Sequence, residues 1–160
     1  MATTVDLTKG AAGAAYPASD LPKVFIIENI IDFAATNRTA TDILQALNVK
    51  AGTFVLLAGV EVLVVEDSTA TIDLGDGSNA DGYLDAADIE AAVGYFDSSQ
   101  AYTASTTNAN AVLEEATRLY GVMGGKFYTA NDTIDVTLNG TSDTGKIRVF
   151  AVVFDCTGRG

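Results

Sequence analysis

Histidine is absent from this 160-residue chain, which removes the Ser-His-Asp triad, the imidazole general base and every His-based zinc site. Cysteine occurs once, at Cys156, so neither an intrachain disulfide nor a multi-cysteine zinc site can form. In FDCTGRG it has no basic neighbour nearer than Arg159, which makes it a poor nucleophile. Packing is the role expected of it. Basic residues are scarce: nine Lys and Arg stand against 21 Asp and Glu, a formal net charge of -12. With no Lys/Arg cluster to neutralise phosphates, nucleic acid is not an expected partner. Long apolar runs are missing too. The longest, Phe54 to Val65, is broken by Gly59 and Glu61 and falls well short of the roughly 20 residues of a spanning helix. It reads as a core strand, with no membrane partner expected.

Other signals are negative as well. MATTVDLTKGAAGAAYPASD has no basic start followed by an apolar core, so no secretory signal is expected. Triplets of the form Asn-x-Ser/Thr begin at Asn37, Asn131 and Asn139 and read as chance in a Thr-rich chain. GVMGGK, at Gly121 to Lys126, lacks the spacing of a phosphate loop and the Ser/Thr after its Lys. Carboxylate pairs are plentiful, but any pair chosen without a cleft is arbitrary. No catalytic or cofactor-binding residue is assigned, and an enzyme is not expected.

What is present is apolar and β-branched. Hydrophobic residues make up 48% of the chain, enough for the core of one domain. Residues 1–22, rich in Ala, Gly and Thr and holding both prolines, read as an extended N-terminal arm. Residues 23–160 read as a β-rich domain. KVFIIENIIDF puts apolar residues on both faces of a strand, both expected to be covered. Ile43 to Val49, Phe54 to Val65 and Ala70 to Leu74 follow as further strands. Ile134, Val136 and Leu138, the turn NGTSDTG, then Ile147, Val149, Ala151 and Val153 predict a hairpin. Phe150, Val152 and Phe154 on the other face of its second strand predict an interior position or an interface. Helical spacing is seen in Ala86 to Tyr95, where Ile89, Val93 and Phe96 recur, and in Ala111 to Tyr120. The expected fold is mainly β: an antiparallel β-sandwich or barrel with one or two short helices and the arm.

One acidic stretch invites a metal. From Gly77, GSNADGYLDAAD fits a twelve-residue calcium loop at several positions, with Asn79, Asp81 and Asp88 as side-chain ligands, the Tyr83 carbonyl, and Asp85 acting through water. Asn79, Asp81, Gly82, Leu84, Asp85 and Asp88 resemble the loop of dockerin modules. Gly77 at the first position removes a principal carboxylate, and the second loop that dockerins carry is not present. The simpler reading gives turn geometry to Gly75, Gly77 and Gly82 and lets the carboxylates solubilise the loop and cap a helix near Ala86. No metal ligand is assigned.

Across roughly residues 40 to 155, the phrases GTFVLLAGVEVLVV, TIDLGDGSNADGYLDA and NDTIDVTLNGTSDTGKIRVFAVVFD, behind the Ala/Gly-rich arm, resemble small structural proteins of tailed double-stranded-DNA bacteriophages, nearest to capsid decoration (cement) proteins. The resemblance implies a non-enzymatic protein on the outer capsid surface, bound to the major capsid protein. It also implies a homo-oligomer, a trimer favoured over a dimer. In the arm, Val5, Leu7, Tyr16 and Pro17 suit an extended segment that orders against a partner, and are the expected capsid contacts. Two alternatives stand beside this: a tail, head-completion or fibre-base component of the virion, and a calcium-dependent extracellular binding module.

Overall fold

The computed structural model describes residues 4–6, 24–97, 120 and 124–156. Among them are ten strands: β1 Thr4–Asp6, β2 Val24–Asp32, β3 Ile43–Val49, β4 Thr53–Val64, β5 Thr71–Asp76, β6 Asn79–Asp88, β7 Gly94–Asp97, β8 Lys126–Tyr128, β9 Asp132–Leu138 and β10 Lys146–Asp155. They form two sheets. Sheet A runs β1-β3-β9-β5-β6 and sheet B runs β2-β10-β4-β7, with β8 also on β4. Strand β7 takes Gly59 to Val62 of β4, and β8 takes Thr53 to Val55. Pairing is antiparallel throughout except for β1, which lies parallel to β3. The protein is a mainly β sandwich.

Alternation in the sequence becomes burial in the fold. Ile147, Val149, Ala151 and Val153 of β10 and Ile134, Val136 and Leu138 of β9 are all fully buried in one core shared by both sheets. Each large aliphatic among them contributes about 1.5–3 kcal/mol by leaving water. Strand β4 breaks its alternation at Leu56, where the β10 register shifts between Val152 and Val153. This bulge returns Ala58, Val60 and Val62 to the core side. A second bulge lies on β6: Leu84 pairs with Leu74 and Ala87 with Ile72, so two residues oppose one. There Ala86 takes φ 50°, and its N–H is held by the Asp73 carboxylate at 2.8 Å.

Four expectations are corrected. Strands β9 and β10 are not a hairpin: β9 pairs with β3 and β5 in sheet A, and β10 with β2 and β4 in sheet B. The seven-residue link crosses between the sheets. It is held by two backbone hydrogen bonds between Arg38 and Ser142, at 2.8 and 3.0 Å, and by Glu66. Nor is there a helix over Ala86 to Tyr95. Strand β6 runs through Asp88, Ile89 bonds to the Glu66–Ala70 link through both its N–H and its C=O, and β7 follows. Ile89 is buried while Val93 is 64% exposed, so the helical spacing marks no shared face. The other helical stretch, Ala111 to Tyr120, lies outside the described residues except for Tyr120. Third, the outer face of β2 is uncovered within the described chain: Val24, Ile26 and Ile30 are 56%, 59% and 58% exposed. Cys156, expected to pack, is exposed as well.

Candidate functional site

The calcium-like phrase is a β-hairpin. Asn79, Asp81, Asp85 and Asp88 lie along the ten residues of β6, and at about 3.3 Å per residue they are strung out rather than gathered around one ion. Its carboxylates bind the protein itself. Asp73 accepts from the Ala86 N–H and from Asn139 Nδ2, each at 2.8 Å. Asp88 accepts from the N–H groups of Glu90 and Ala91 at 2.9 and 3.0 Å, closing a turn where a helix cap was expected. Gly75 and Gly82 supply room and not a left-handed backbone, since neither has a positive φ. A Cβ on Gly75 would stand 2.0 Å from the Asn79 carbonyl oxygen, and one on Gly82 would stand 2.3 Å from the Tyr120 ring.

Asp76, at the hairpin tip, organises a buried polar cluster. Its Oδ1 accepts from the N–H groups of Ser78 and Asn79 at 2.9 and 3.1 Å, which sets the turn. Its Oδ2 accepts from the Tyr128 hydroxyl at 2.8 Å and from the Lys126 ammonium. Lys126 also donates to the Tyr120 hydroxyl at 2.7 Å and lies over the Tyr120 and Tyr128 rings. The hydroxyls of Tyr83 and Tyr128 meet at 3.0 Å. Burial pushes the Asp76 carboxyl up, but Lys126, Tyr128 and the Ser78 N–H outweigh it and hold the group below its ordinary range. Burial drives the Tyr83 and Tyr128 hydroxyls upward. These groups neutralise one another, and their geometry is that of a lock joining β5, β6 and β8.

Glu66 is a second lock. It is 2% exposed and accepts from the N–H groups of Asp67, Asp143, Thr144 and Gly145 and from the Thr144 hydroxyl. Burial opposes its charge, yet these donors keep the carboxyl below its usual range. Its oxygens approach those of Asp67 and Asp143 within 4.8 Å, but backbone donors already occupy them. The carboxylate's work is to pin the link between β9 and β10.

The largest exposed apolar surface singled out among the described residues is the outer face of sheet B. Across β2, β10 and β4 the register forms transverse rows. Val24, Phe154 and Phe54 make one, continued by Phe127 of β8; Ile26, Val152 and Leu57 make another. Phe54 and Phe154 meet edge to face at 6.1 Å, as do Tyr95 and Phe150 at 6.3 Å. Toward the end carrying Ile30, Arg148 binds Glu28 at 3.1 Å and Glu61 at 2.6 Å and reaches the Tyr95 hydroxyl at 3.3 Å. Lys146 pairs with Asp32 at 2.6 Å. A two-layer sandwich covers one face of each sheet. The second apolar face of β2 and β10, visible in the sequence, therefore lies outside the core that the two layers bury.

Of the expected contact residues, Val5 lies in β1, paired with Leu44 of β3, while Leu7, Tyr16 and Pro17 lie outside the described residues. No protein-family model and no curated protein matches the chain. Three solved structures are similar. A chain of the acidic stable capsid of Helicobacter pylori bacteriophage KHP30 is 11% identical with a TM-score of 0.50, the match covering 84% of this chain and 93% of that one. A chain of the cyanophage Pam1 capsid is 18% identical with a TM-score of 0.59, covering 92% and 95%. A chain of the Ralstonia phage GP4 capsid is 12% identical with a TM-score of 0.59, covering 94% and 97%. The likeness is one of fold, shared with chains of phage capsids.

Proposed function

We propose that this chain is a non-enzymatic structural protein of a phage virion, which decorates the outer capsid surface and stabilises it by binding the major capsid protein. The observation that carries this reading is the coverage of the fold matches. Between 93% and 97% of each capsid chain is matched, and most of this one, so the likeness is to whole capsid components. The polar clusters fit a structural role, because Asp76, Lys126, Tyr128 and Glu66 are held against protein partners. An apolar face open on one side of the sandwich fits a protein that works in an assembly.

The N-terminal segment supplies the capsid contact in this reading. Strand β1 sits in sheet A and β2 in sheet B, so residues 7–23 are tethered at both ends. Seventeen residues span at most about 60 Å when fully extended, so a loop held at both ends projects at most about 30 Å from its anchors. Leu7, Tyr16 and Pro17 belong to that span, and Val5 anchors its start. The test is co-sedimentation with capsids stripped of the protein. A Leu7→Ser/Tyr16→Ser/Pro17→Ala variant, which keeps β1, should fold normally but lose at least tenfold in occupancy at limiting concentration. Equal occupancy would move the contact to the β domain.

A further inference from the structure

We propose that the outer face of sheet B is a self-association surface, on which a second copy of this chain packs its own equivalent face across a two-fold axis. The inference goes beyond capsid attachment and holds whether or not the protein binds a shell.

Three observations lead to it. First, the face is large. Val24, Ile26, Ile30, Tyr95 and Phe127 are each between 49% and 59% exposed; together they present on the order of 500 Å² of apolar side chain, at the upper range of the largest patch on a typical monomer. The partly exposed Phe54, Leu57, Phe150, Val152 and Phe154 bring it toward the roughly 800 Å² per partner of a standard interface. Second, the face carries little of the chain's charge. By register its charged residues are Glu28, Asp32, Glu61 and Asp97 against Lys146 and Arg148, with Glu28, Asp32 and Glu61 in ion pairs, leaving two net negative charges where the whole chain carries -12. Like-charged copies repel over most of their surface, so a weakly charged apolar patch is where they meet at least electrostatic cost. A basic partner would instead be drawn to the acidic remainder of the chain. Third, the rows are regular across β2, β10 and β4, and apolar sheet faces stack about 10 Å apart with their side chains interdigitated. A surface that meets its own equal this way closes as a pair. The decoration-protein resemblance favours a trimer; this geometry favours a dimer.

The experiment is sedimentation velocity on the purified full-length chain from about 1 to 100 µM, alongside Ile26→Glu/Val152→Glu and the milder Ile26→Thr/Val152→Thr, which keeps β propensity. The wild type is expected to be dimeric by tens of micromolar. The Glu variant should be monomeric with an unchanged circular-dichroism spectrum, and the Thr variant should dissociate at least tenfold more readily. If the Glu variant fails to fold, the Thr variant decides. A wild type that stays monomeric overturns the proposal: lowered melting in the Thr variant would then assign the face to another segment of the same chain, and unchanged melting to a different partner. A trimer, or an oligomer that both variants leave intact, overturns it equally.

Discussion

Replacing Asp135 by Asn should stabilise the protein at pH 8 and do far less at pH 4. Asp135 is 9% exposed on β9, opposite Gln45 of β3 and Gly75 of β5. Its Oδ1 finds no hydrogen-bond partner among the described residues. Burial, with the nearby charges of Asp132 and Asp76, pushes its carboxyl from 3.8 up to about 6 against the opposing Thr133 hydrogen bond. A rise of about two units corresponds to about 3 kcal/mol between the two protonation states. The native state keeps this proton up to about pH 6, whereas the unfolded chain releases it near 4. The native state therefore binds more protons across that window, and the contribution, full below pH 4, is lost as pH rises to 6. Asn has the shape of the protonated acid and no charge to lose. Urea unfolding of both proteins at pH 4 and pH 8 should give the variant a pH 8 advantage of about 1–3 kcal/mol over its effect at pH 4. Equal differences at the two pH values, or a variant weaker at pH 8, would refute the reasoning.

Three further outcomes follow from the same structure. Val149, fully buried on β10 between Asn29 and Val60, should not tolerate Asp: a carboxylate stripped of water there costs upward of about 4 kcal/mol, and a soluble Val149→Asp protein with normal melting would contradict the core assignment. Glu66→Ala leaves the N–H groups of Asp143, Thr144 and Gly145 without their acceptor and should cost about 2–4 kcal/mol at pH 7. Because the folded Glu66 carboxyl is lowered from 4.5, that difference should persist above pH 5 and shrink as pH falls through the folded value. Millimolar calcium should leave the melting temperature unchanged, whereas a native-state ligand at 100 times its dissociation constant would add about 2.7 kcal/mol; a rise abolished by Asp81→Ala with Asp88→Ala would restore the calcium loop.

The strands were legible because burial on one side of a pleat leaves a two-residue period, as Ile134 to Leu138 and Ile147 to Val153 show. Sheet membership was not. A hairpin and a crossing between sheets both need two alternating strands and a polar link; what separates them is Glu66, 77 to 79 residues from its partners. The helical spacing of Ile89 and Val93 misled because spacing does not show where a backbone N–H goes, and that of Ile89 goes to Ala70. The Asp76 cluster gathers residues 76, 83, 120, 126 and 128, and Lys126 was weighed only as part of a failed phosphate loop. For the doubly apolar β2 and β10, coverage of both faces was expected from the alternation, and the described chain covers only one.

The most direct test of the account is to purify phage particles by density gradient, quantify this chain against the major capsid protein by mass spectrometry, and map it by cryo-electron microscopy. The account predicts a fixed stoichiometry that survives washing and density for the β-sandwich on the outer surface of the shell. A chain absent from intact particles, or present only in the tail, would contradict it.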